Sequence, residues 1–93
     1  MKPLSYYQTL IQDRDFRLRL AEEIFLLEMT EALSQAMEQR QVTARSLAAR
    51  MNISPTEVYN MLMGENLTPQ AFARALYHLG YEAAITLRTI QEE

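Results

Sequence analysis

Cysteine is absent from this 93-residue chain, and glycine (two), proline (three) and histidine (one) are scarce. Without thiols there is no disulfide framework and no thiolate chemistry, which suits a reducing cytoplasm. So few glycines and prolines, in a chain that is 48% hydrophobic, argue for an ordered helical protein rather than a disordered one. The single histidine, His78, shares a helix face with Arg74 and Ala71, and no nucleophile, base or orienting carboxylate is marked around it. Glu28 with Glu31, and Asp15 with Arg19, share helix faces but lack the histidine or cysteine that would complete a metal set. The expectation is therefore no enzyme, no catalytic residue, no metal and no cofactor. Long hydrophobic runs are missing too. The most apolar stretch, residues 24–27, is far too short to span a bilayer and is flanked by glutamates. With no signal-peptide pattern, the chain reads as soluble, intracellular and cytoplasmic. Its length allows one domain, divided here into an N-terminal helical arm (1–38), a central core (39–80) and a C-terminal strand and tail (81–93).

The net charge is −3, unhelpful for a nucleic-acid ligand until it is divided along the chain. Residues 1–38 carry four basic and seven acidic side chains, residues 39–80 four and two, and residues 81–93 one and three. Only the middle segment is locally basic. A docking surface acts over about one Debye length, ~8–10 Å, so the local excess matters more than the total. It is small, which implies modest phosphate contact.

Helix punctuation is clearest in that middle segment. Thr43, Ser54 and Thr68 are N-cap residues, the last two followed by Pro55 and Pro69 at the first helical position. Gly64 and Gly80 fall where left-handed caps close helices. The last of these helices, about 70–79, has Phe72, Ala75, Leu76 and Leu79 on one face. Upstream, Ser5 with Gln8 suggests a short helix over 6–11. Asp13 and Asp15 bracket a second start, and Phe16, Leu20, Ile24, Leu27, Leu33, Ala36 and Met37 keep helical spacing to about 39, as one long helix or as two with a bend. Ile24, Phe25, Leu26 and Leu27 point around the whole circumference of a helix. They mark either a central core helix or one shared with another subunit, and the small size of the domain favours the second. From Tyr81 the period changes to two, with Tyr81, Ala83, Ile85, Leu87 and Thr89 on one side, as in a β-strand. A lone strand needs a partner for its backbone. An antiparallel ribbon across a homodimer is one expectation; an extended tail packed on its own domain is the other.

Residues 43–62, TARSLAARMNISPTEVYNML, have the spacing of two short helices joined by a tight turn. With Ala44 as the first helical position, the fifth is Ala48, small enough for a crossing helix. The ninth is Asn52, tolerant of the left-handed region. The fifteenth and eighteenth are Val58 and Met61, apolar and turned inward, which leaves the other side of the second helix outside. The string VTARSLAARMNISPTEVYNMLMGENLT resembles the helix-turn-helix domain of Cro and repressor proteins, the xenobiotic response element family, over about half the chain. The extra N-terminal helices and the strand are more similar to HigA-type antitoxins and small phage regulators.

That resemblance implies a mainly α, lambda-repressor-like domain of five or six helices with a C-terminal strand, acting as a homodimer that represses transcription from double-stranded DNA. Two recognition helices, about 55–63, would enter successive major grooves about 34 Å apart. Three residues depart from the family pattern on the face that would meet DNA. Ala44 replaces a phosphate-binding glutamine, Pro55 replaces a base-reading side chain, and Glu57 adds a negative charge. Base contact then falls to Thr56, Tyr59 and Asn60, and phosphate contact to Arg40, Arg45, Asn66, Thr68 and Gln70, with Arg50 and Arg74 as secondary candidates. Ile24, Phe25, Leu26, Leu27, Ile85 and Leu87 are the candidate dimer or partner interface. The alternative is an antitoxin or other protein-binding module that grips a basic toxin enzyme with its acidic arm, with or without binding DNA.

Overall fold

A computed structural model of the protein describes residues 14–90, in which four α-helices occur: α1 (Arg14–Arg40), α2 (Ala44–Met51), α3 (Pro55–Leu62) and α4 (Pro69–His78). The expected helix over 6–11 lies outside the described residues. Two features of the expected architecture are corrected. The described residues hold four helices rather than five or six, and of the two forms left open for the stretch from Asp15 to Gln39 the single unbroken helix is the one found. No β-strand occurs among them: residues 81–90 run without regular structure. The reason is what the tail lies beside. Arg88 reaches Glu28 on α1 at 3.5 Å, and residues 82–84 flank Ala32, Gln35 and Gln39 of the same helix. A helix has already used its backbone donors and acceptors internally, so it offers no ladder to an alternating segment. Ile85 and Leu87 stay 81% and 89% exposed.

Each of the three short helices starts with the same device. Thr43, Ser54 and Thr68 are extended, with φ between −77° and −79°, and each side-chain oxygen accepts from the backbone N–H three residues on, at 3.1, 3.2 and 3.1 Å. All four helices also end alike. A left-handed residue follows (Gln41, Asn52, Gly64, Gly80) and the next residue's N–H bonds back to the carbonyl five positions earlier: Val42 to Met37, Ile53 to Ala48, Glu65 to Asn60 and Tyr81 to Leu76, at 2.8–3.0 Å. This is the Schellman closure.

The core is confined to one end of the molecule. Leu33, Leu47 and Val58 are fully buried, with Ala36, Met37, Ala48, Met61, Leu67, Ala75, Leu76 and Leu79 around them. α2 packs on α3 and α4, and both of these pack on α1. Ala48 is 1% exposed, as a crossing point requires. By contrast, no residue from Arg14 to Phe25 is buried. The radius of gyration, 17.3 Å, exceeds the roughly 12 Å of a compact domain this long, because the first half of α1 projects from the core. Of the apolar quartet, Leu26 alone packs against the core, while Ile24, Phe25 and Leu27 are about half exposed.

Candidate nucleic-acid interface

The turn between α2 and α3 fixes which side of α3 is left open. Asn52, at φ 59° and ψ 44°, lets the chain reverse after Met51, and the Ser54 cap with Pro55 restarts it as a helix. Val58 and Met61 then face the core. The opposite face carries Thr56, Tyr59, Asn60 and Met63. Thr56 is exposed, Tyr59 is 57% and Met63 75% exposed. Asn60 is half-buried, at the edge of a cleft of about 250 Å³ that it shares with Glu57, Asn66 and Arg74. The three sequence candidates for base contact thus lie on one side of one helix, Asn60 set deeper than the others. Met63 was missed. Its signal was its place four residues after Tyr59 and just before the Gly64 cap, a last-turn position on the same face.

The five candidate phosphate contacts fall in three places. Arg45 is exposed in the first turn of α2 and makes no hydrogen bond or ion pair among the described residues. Asn66, Thr68 and Gln70 sit together in the α3–α4 loop and at the start of α4, all exposed. Asn66 takes φ 56°, and its carbonyl accepts from the Thr68 N–H at 3.0 Å. Because Pro55 and Pro69 have no N–H and Ser54 and Thr68 cap Glu57 and Ala71, the backbone N–H groups of Thr56 and Gln70 are left open at the two helix starts, where an anion is favoured.

Arg40 belongs to a different site. Its guanidinium lies 4.5 Å from the centre of the Tyr81 ring and donates to the Gly80 carbonyl at 3.5 Å, while the Tyr81 hydroxyl donates to Gln39 Oε1 at 2.8 Å. Arg50 donates to the His78 carbonyl at 3.2 Å. Both arginines thereby satisfy carbonyls at the C-terminal end of α4, the electronegative end of a helix. Of the four arginines in residues 39–80, Arg45 and Arg74 are left uncommitted among the described residues, and Arg74, a secondary candidate by sequence, is the one placed beside Asn60.

Elsewhere the chemistry is sparse. A second cleft of about 290 Å³ between α1, α4 and the tail is lined largely by alanine and glutamine with Phe72 and Tyr81. Among the described residues no group of three or more His, Asp or Glu side chains is placed to hold a metal, and no helix is long and apolar enough to cross a membrane. No protein-family model, curated protein or solved structure matches the chain.

Proposed function

We propose that the protein is a sequence-specific DNA-binding regulator, a repressor that reads the major groove with α3. The observation that carries this reading is the outer face of α3, which bears Thr56, Tyr59 and Asn60 while Val58 and Met61 anchor the inner face, and which neither α1 nor residues 81–90 cover among the described residues. A helix has the diameter of the major groove, and Asn60 has the donor and acceptor pair that matches adenine N7 and N6. Thr56 and Tyr59 reach thymine methyl groups, base edges or phosphates. Arg45, Arg74 and the open N–H groups of Thr56 and Gln70 hold the backbone, and the helix-turn-helix resemblance points the same way. Such a ligand implies a cytoplasmic location and two copies on a near-palindromic site.

The test is selection from randomised duplexes followed by titration. Asn60→Ala should change the preferred sequence, whereas Arg45→Ala should weaken binding to all sequences alike. With Arg45 and Arg74 as the two uncommitted arginines of residues 39–80, log K should fall against log salt with a slope of about −2 per subunit, from −0.9 per neutralised phosphate. Failure to enrich any duplex sequence rejects the proposal. The exposed apolar side chains of α1, among acidic ones, favour a second reading: a module that binds and neutralises a basic protein partner such as a toxin, with or without DNA. A stable complex with such a partner that leaves α3 free would support it.

A further inference from the structure

We infer that the projecting half of α1 pairs, antiparallel, with the same helix of a second copy of this chain, about a twofold axis at Ile24. Five residues define the seam: Arg17, Leu20, Ile24, Leu27 and Glu31. They succeed one another at steps of three, four, three and four, the heptad spacing that keeps one line of side chains facing a partner helix. The three apolar members are 39%, 48% and 56% exposed. The seam looks away from the protein's own core, which α1 meets through Leu26, Met29, Leu33, Ala36 and Met37. It also lies to one side of the tail, which follows α1 past Gln39, Gln35, Ala32 and Glu28.

The charges choose the occupant. Arg17 and Glu31 end the seam, each seven residues from Ile24 (24 − 17 and 31 − 24), or roughly 10 Å at 1.5 Å per residue. Neither has an ion-pair partner among the described residues. Antiparallel pairing about Ile24 brings Arg17 of each copy to Glu31 of the other, twice over, and sets Leu20 against Leu27. Parallel pairing would stack Arg17 on Arg17 and Glu31 on Glu31. The helix face is thus complementary to its own reverse, which is the condition for a closed twofold interface.

The pairing stands without the DNA reading, and its test contains no nucleic acid. In sedimentation of the full chain at tens of micromolar, the expected species is a dimer. Arg17→Glu and Glu31→Arg should each weaken association, by about tenfold if each of the two exposed pairs is lost and replaced by repulsion. The double exchange R17E/E31R should restore it to near the starting value, an outcome that parallel pairing and a hetero-partner surface do not give. Ile24→Asp should yield a monomer with unchanged helicity by circular dichroism, since Ile24 does not pack on the core. A parent chain that stays monomeric throughout, or a double exchange no stronger than either single one, overturns the inference.

Discussion

Gln41 and Asn52 hold the left-handed backbone that Gly64 and Gly80 hold without strain, at φ 55° and 59°. A side chain with a Cβ costs about 1–2 kcal/mol in that region, less for asparagine, whose short polar side chain tolerates it. Glycine recovers most of that cost but gives back part through the greater freedom of the unfolded chain. Gln41→Gly should therefore stabilise by roughly 0.5–1 kcal/mol, which for a domain of this size is a rise of about 2–8 °C in Tm, and Asn52→Gly should gain less. Calorimetry showing an unchanged or lower Tm for Gln41→Gly would contradict the account. The arginines divide in a similar way. Arg40 sits over Tyr81 and bonds Gly80, a contact worth about 0.5–1 kcal/mol at an exposed site, so Arg40→Ala should lower Tm slightly and leave duplex affinity unchanged. Arg74→Ala should do the opposite. A titration in which Arg40→Ala weakens DNA binding more than Arg74→Ala would reverse the two assignments.

At the scale of elements, what was legible in the sequence was whatever local chemistry decides. The cap of α3 was readable because Ser54 and Pro55 act within one turn, and its inner face because Val58 and Met61 are three residues apart. The outer face followed as its complement, which put Thr56, Tyr59 and Asn60 in view. The strand was misread because of what lies across space. Two-residue alternation in 81–90 was a true pattern with no ladder to join, since α1 is the neighbour. What the sequence also did not show is that the carbonyls at the end of α4, 40 and 28 residues on, accept from Arg40 and Arg50. The tail's weak hold also carries a prediction. Beyond Tyr81 its one ion pair among the described residues, Arg88 with Glu28, is exposed on both sides, and such pairs contribute little. A chain ending at Tyr81 should keep its helicity and melt within a few degrees of the full chain. A truncation that unfolds at ordinary temperature would mean the tail is structural.

For the whole molecule, the length of α1 links the two proposals. The core is anchored at Leu33, nine residues from Ile24 (33 − 24), so antiparallel copies place their anchors on the order of 27 Å apart along the helix axis at 1.5 Å per residue. Lateral offset adds to this, and one turn of duplex separates successive major-groove faces by about 34 Å. An elongated molecule with its core at one end, 59 Å in its longest dimension, has the reach to set two reading helices one turn apart; a compact monomer of the same length does not. Two duplexes separate the contributions, one with a single half-site and one with an inverted pair at variable spacing. The parent chain should bind the pair cooperatively and best near one helical turn, while Ile24→Asp should bind the half-site as the parent does and lose the dependence on spacing. If Ile24→Asp kept full cooperativity, the copies would have to meet through some other surface, and the projecting helix would be left for a different partner.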